Sequence, residues 1–251
     1  MIRTASFAPG LGAVWLFMVG SACAADVPCP KVPPQAIYLP AMRTALAHRA
    51  PVTIVAFGSS STEGVGASAP DRTYPARLEV ALRAQWPEMI LRVWNRGIGG
   101  ETTEMMLTRL NTDVLAIRPA LVIWQLGANE ALRGVDPATM AAPLHDGLRR
   151  LVAAGADVVL MDNQQSPRMM AAGNQAAFLA VLRHEVVIPE VSLFSRTRLM
   201  HEWAATSVSG APMIGQDGIH HTDHGYECLA QALAASIIAS ATAIATQHSG
   251  P

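Results

Sequence analysis

The chain has 251 residues, of which 51% are hydrophobic and 15% charged, with 18 basic residues against 19 acidic ones. An average soluble domain carries about 25% charged residues, so this chain is charge-poor, and its near-neutral balance offers no footprint for nucleic acid and no polybasic patch for anionic lipid. Three cysteines exclude a disulfide-dense scaffold, ordinary contents of Gly (19) and Pro (17) exclude collagen-like and low-complexity chains, and the apolar content excludes intrinsic disorder.

The N-terminus reads as an address. Arg3 supplies a positive start, residues 11–19 (LGAVWLFMV) form an apolar run too short to span a bilayer, and Ala22-Cys23-Ala24 fits a small-residue cleavage site. Residues 1–24 are therefore expected to be a signal peptide, with the protein periplasmic or secreted. Processing as a lipoprotein at Cys23 is the weaker variant, because Gly20-Ser21-Ala22 lacks the aliphatic residue of a lipobox. Export leaves Cys29 and Cys228 in an oxidising compartment, either as one disulfide between the arm and the last helix or as two separate thiols. No later segment reaches 18 uninterrupted apolar residues, so no stable membrane span is expected after the signal is removed.

Residues 25–250 are expected to be a single domain, with 25–40 a Pro-rich extended arm. A helix is predicted over 41–48. A β-branched run at 51–57 predicts a buried parallel strand. A helix follows over 74–86, with Pro75 in its first turn. Next come a strand over 90–94, a short helix over 101–111 and a strand over 121–126. A helix over 137–154 is ended by Gly155. Then come a strand over 157–161, a helix over 174–185 and a strand over 186–192. In this last strand Pro189 favours an edge position. Helices over 196–205 and 223–245 complete the chain. Strands alternating with helices predict an α/β fold with a mainly parallel sheet, and ligands of such folds bind beyond the C-terminal strand ends.

Four of those ends are small and polar: Gly58-Ser59-Ser60-Ser61-Thr62, Asn95-Arg96-Gly97-Ile98-Gly99-Gly100, Gly127-Ala128-Asn129-Glu130, and Asp217-Gly218-Ile219-His220 before the last helix. Singly, each is an ordinary cap, turn or loop. Together and in this order, they resemble the four motif blocks of the SGNH (GDSL-type) hydrolase family of serine esterases. Two positions depart from its pattern: Ser59 and Glu130 each stand where the family has Asp. The resemblance implies a three-layer α/β/α sandwich on a flavodoxin-like five-stranded sheet. It also implies an enzyme that hydrolyses carboxylic esters through an acyl-enzyme, with no cofactor and no metal. The substrate would be a small-molecule or glycan-linked ester. An envelope polysaccharide O-acetyl esterase or acyltransferase, or a non-catalytic binding protein on the same fold, are the alternatives.

On this resemblance Ser60 is the nucleophile, with Ser59 and Ser61 as internal rivals. His220 is the base, because an imidazole titrates near neutrality, and Asp217 holds its other ring nitrogen. His221 and His224 are rivals without the Asp-x-x-His spacing. A metal reading would use His220, His221, Asp223 and His224. The oxyanion hole would be the backbone N–H groups of Ser60 and Gly100 with the Asn129 side-chain amide. The Gly-x-Ser-x-Gly elbow of α/β-hydrolases is absent, since residue 62 is Thr62. Residues 63–72 and 163–173 are candidate cleft walls, the second through Gln164, Gln165, Arg168, Met169 and Met170.

Overall fold

The computed structural model describes residues 27–206 and 212–243. The expected signal segment, including Cys23, lies outside the described residues. The chain opens with an arm leading into α1 (Pro40–Ala47), β1 (Val52–Gly58) and a one-turn helix, α2 (Ser60–Glu63). Next are α3 (Tyr74–Gln85), β2 (Leu91–Gly97), α4 (Thr103–Asp113), β3 (Leu121–Gln125) and α5 (Ala128–Leu132). They are followed by α6 (Ala141–Ala153), β4 (Asp157–Met161), α7 (Pro167–Ala172), α8 (Gln175–Glu185), β5 (Val191–Phe194), α9 (Arg196–Ala205) and α10 (Asp223–Thr242).

The five strands are all parallel, in the order β2-β1-β3-β4-β5, which is the flavodoxin-like winding. Successive residues of β1 point to opposite faces. Ile54 and Ala56 join a core with α1, α3, α9 and α10, whereas Val55 and Phe57 join one with α4, α6 and α8. Burial on both faces explains why the strands read as continuous apolar runs.

Three expectations are corrected. The last strand begins at Val191 rather than 186. Residues before it turn instead, with the Val191 N–H donated to the Ile188 carbonyl, and Val187 is exposed. The helix expected over 137–154 is a 3-10 turn (Pro137–Met140) followed by α6, with Asp136 accepting the Ala138 N–H at its start. Strand β2 runs to Gly97, because Asn95, Arg96 and Gly97 still pair with Ala56, Phe57 and Gly58.

The arm is fastened by polar side chains. Gln35 donates its backbone N–H to Ser236 and exchanges side-chain bonds with the backbone of Ser195. Tyr38 N–H reaches the Ser192 hydroxyl, and Asp157 accepts the N–H groups of Ala41 and Met42 at the start of α1. Cys29 and Cys228 form a disulfide, with Cα atoms 5.2 Å apart and 199 residues between them in sequence. Such a closure restricts the unfolded chain severely. Non-reducing peptide mass spectrometry should find the Cys29–Cys228 pair, and C29A/C228A should lower unfolding stability by about 2–5 kcal/mol. Two free thiols in the native protein would contradict this pairing.

Candidate active site

Ser60 is the first residue of α2, at the turn where β1 ends. The turn is pinned from below by Gln125, the last residue of β3. Its side-chain oxygen accepts the Ser59 N–H (3.0 Å), the Ser59 hydroxyl (3.2 Å) and the Thr62 hydroxyl (3.3 Å). Ser59, at the position where the family pattern has Asp, thus serves the turn as a buried donor. Ser61 is also buried, so of the three serines only Ser60 reaches the cleft.

The β2 loop closes on α2 from the other side. A Cβ on Gly97 would stand 2.0 Å from the backbone N of Glu63, so only glycine lets the two segments meet. Arg109 of α4 locks the same corner. Its guanidinium donates to the carbonyls of Gly58 (3.2 Å) and Arg96 (3.0 Å), pairs with Glu101 (2.6 Å) and Asp113 (2.8 Å), and lies over the Phe57 ring. Gln125 and Arg109 were not visible as site residues in the sequence, because each acts only on a backbone that the fold brings to it.

The loop before α10 carries the other half of the site. One Asp217 oxygen accepts the N–H groups of Ile219 and His220, both at 3.0 Å. The other meets His220 Nδ1 at 2.5 Å, and His220 Nε2 lies 2.9 Å from Ser60 Oγ. A carboxylate can only accept, so Nδ1 carries the ring proton and Nε2 is left to accept the Ser60 hydroxyl. Partial burial pushes the Asp217 carboxyl upward, but the Ile219 N–H and the His220 ring and N–H outweigh it and hold the group below its ordinary value. Asp217 therefore stays charged through the mildly acidic range.

The rival histidines are accounted for. His221 is fully buried and its Nδ1 meets the Met213 carbonyl at 3.1 Å. Burial, aided by the nearby Arg196 guanidinium, lowers its pKa to about 3. Asp223 is held by Ser68, and His224 lies 3.6 Å from the Cys228 sulfur. The four residues of the metal reading thus face different partners. Among the described residues, the group close enough to share an ion is Cys29, His224 and Cys228, whose sulfurs are joined to each other.

The loop after β2 also meets α5, which brings Gly100 and Asn129 close together. Gly100 has φ +79°, a left-handed conformation suited to glycine, and its carbonyl is fixed by Arg133 at 2.6 Å. Asn129 Nδ2 donates to the Glu101 carbonyl at 2.8 Å, which uses one of its two amide hydrogens and leaves the second for a ligand. Glu130 turns inward instead. Its oxygen accepts the Thr103 N–H (2.5 Å) and hydroxyl (2.7 Å) at the start of α4, where a negative charge suits the helix dipole.

Of the expected walls, residues 63–72 do border the site. A Cβ on Gly66 would lie 3.1 Å from His220 Cβ. A cavity of about 890 Å³ lined by Glu63, Val65, Ser68, Pro75, Val80 and Asn95 opens beside this segment, but Ser60, Asp217 and His220 do not line it. The second wall is corrected in part. Residues 167–172 are α7, with Met169 fully buried in the core and Met170 exposed, and Gln164 is buried with its amide turned toward the Ile219 carbonyl.

A parallel five-stranded sheet in this winding, with Ser60 just after β1 and Asp217 and His220 on the loop before α10, has the fold of the SGNH/GDSL class of hydrolases. The Non-GDSL lipase-like family model matches residues 24–243, and the chain belongs to that family. The chain is 38% identical over 76 residues to "Esterase TesA" of Pseudomonas aeruginosa, a match covering 30% of this chain and 38% of that relative's length. The crystal structure of TesA superposes with a TM-score of 0.63 at 26% identity, over 74% of this chain and 97% of the other. A two-domain esterase (CEX) active on acetylated mannans shares the fold with a TM-score of 0.69 at 21% identity, over 86% of this chain and 57% of that one.

His221 makes the stability of the fold depend on pH. Its folded pKa of about 3 lies below the ordinary 6.5, so between those values the unfolded chain binds a proton that the folded one refuses. Its contribution is fully present above pH 6.5 and declines as pH falls toward 3. Asp157, raised to about 6 by burial, acts in the opposite sense but is common to any His221 variant. The stability difference between wild type and H221Q should be constant above about pH 6.5 and shift against wild type by about 1.4 kcal/mol per pH unit below it. Urea unfolding at pH 7.5, 6 and 5 measures this, and a flat difference would refute it.

Proposed function

We propose that the protein is an exported serine esterase that hydrolyses acyl or acetyl carboxylic esters through an acyl-enzyme. The carrying observation is the relay from Asp217 through His220 to Ser60, at 2.5 and 2.9 Å, across 160 residues of sequence. Membership of a lipase-like family and likeness to esterases support ester hydrolysis, and an esterase neighbour active on acetylated mannans supports glycan-linked as well as small esters as substrates. The leader-like pattern of residues 1–24 and the Cys29–Cys228 disulfide support a periplasmic or secreted location. No described helix is long and apolar enough to cross a membrane.

The geometry performs the reaction in two halves. His220 Nε2 takes the Ser60 proton as Oγ attacks the ester carbonyl. The resulting oxyanion is received by the N–H groups of Ser60 and Gly100 and the free amide hydrogen of Asn129. The imidazolium, stabilised by charged Asp217, returns its proton to the leaving alcohol. Water then attacks the acyl-Ser60 ester with His220 again as base, releasing the acid and restoring the hydroxyl. Arg133 and Arg109 touch no reacting atom; they hold the backbone that presents the donors.

Hydrolysis of p-nitrophenyl acetate should fall by at least about 10³-fold in S60A and in H220A. N129A should lose about 10²–10³-fold, the usual effect of removing one oxyanion donor. A chain-length series of p-nitrophenyl esters beside acetylated glycans reads the acyl and alcohol preference. Wild type and S60A equally inert across the series would leave a binding protein on this fold as the better reading.

A further inference from the structure

The mechanism leaves one buried polar assembly unused, at the junction of β4 and α9. Arg196 is fully buried although it carries a charge. Its Nε donates to the Asp162 carbonyl (3.1 Å) and its Nη2 to the side-chain oxygen of Gln164 (2.7 Å). Asp162 in turn accepts the Ser195 hydroxyl (2.7 Å) and the Thr197 N–H (3.0 Å), and the Thr197 hydroxyl donates to the Asn163 carbonyl (2.8 Å). The segment after β4 is thus bolted to the start of α9.

Arg196 decides which way the Gln164 amide faces. A guanidinium has only donors, so the Gln164 oxygen must point to it and the NH₂ group must point away. Away is the catalytic loop: Gln164 Nε2 donates to the Ile219 carbonyl at 3.0 Å. That carbonyl belongs to the peptide unit whose N–H is the His220 N–H, which donates to Asp217. The peptide bearing the base is therefore held on both sides, by Asp217 through its N–H and by Gln164 through its carbonyl. A parallel backbone bond, from the Arg168 N–H to the Gly218 carbonyl (3.0 Å), docks the same loop on the same segment.

We propose that Gln164 is a positioning residue for His220, oriented by Arg196, and that this pair sets the alignment of the base toward Ser60. The inference rests on Ser60 and His220 being nucleophile and base. Gln164 acts through the loop and touches no substrate, so its loss changes the rate of Ser60 chemistry and not substrate affinity. A displacement near 1 Å at a reacting group can reduce rate about 10²-fold.

The test compares wild type, Q164A and Q164E by three readouts: phosphonylation of Ser60 by a fluorophosphonate, kcat and KM on p-nitrophenyl acetate, and Tm. In phosphonylation the Ser60 oxygen bonds phosphorus, fluoride leaves and His220 takes the hydroxyl proton, so the rate reports base alignment directly. Q164E keeps a charge-assisted bond to Arg196 but turns an acceptor toward the Ile219 carbonyl. We expect labelling and kcat to fall about 10-fold in Q164A and about 100-fold in Q164E, with KM within about threefold of wild type. The Tm order should be reversed, with Q164E above Q164A. Wild-type rates in either folded variant would overturn the proposal, as would rates that follow the Tm order; Q164E alone decides if Q164A does not fold. A wild type that is not labelled at Ser60 overturns the triad reading and this inference together, whereas a labelled wild type with unaffected variants removes Gln164 alone.

Discussion

Ser60, Gly100 and Asn129 leave the same edge of the sheet because all five strands run in one direction. In a parallel sheet each crossover returns the chain to the far edge before the next strand starts, so successive C-terminal ends collect on one side. Gly58, Gly97 and Gln125 end three adjacent strands in register, and the loops that follow supply Ser60, Gly100 and Asn129. The fourth and fifth strands supply something else. They are followed directly by Asp162 and Ser195, which begin the polar assembly beneath the Asp217–His220 loop. The order β2-β1-β3-β4-β5 therefore divides the edge into a half that presents Ser60, Gly100 and Asn129 and a half that supports the loop carrying His220.

Local chemistry within this frame is mostly backbone restraint. Gln125 carries three donors from the β1–α2 turn on one oxygen, Arg109 joins the carbonyls of two strand ends, and Arg133 fixes the Gly100 carbonyl. Each restraint acts where the chain is about to leave, or has just left, a strand, and regular backbone pairing gives out. The two departures from the family pattern fit this logic. Ser59 and Glu130 are both buried and both bond neighbouring segments, so the positions where the family has Asp act on the frame, while Ser60 and Asn129 beside them stay partly exposed.

The fold was legible because burial on two faces leaves a strong imprint: runs such as residues 52–57 and 121–125 admit few other readings. The candidate triad was legible through the resemblance of four motif blocks taken together, since Asp217 and His220, three residues apart on one loop, would singly read as an ordinary loop contact. The limits had physical causes. Val186 and Val187 look like strand residues, yet the turn at Ile188 and Pro189 leaves them in solvent. Gln164 and Met169 looked like lining for the cleft because polarity and flexibility are visible in sequence while direction is not. Arg196 was unremarkable as a helix-starting residue, since only the packed fold places it without water beside Asp162 and Gln164.

The disulfide between the arm and α10 encloses Ser60, Gly100, Asn129, Asp217 and His220 within one covalent ring. A peptide bond broken anywhere between residues 29 and 228 would open that ring without separating its parts. Nucleophile and base would remain on one molecule even after a protease had cut the chain between them. The candidate active centre would then outlast the continuity of its own backbone.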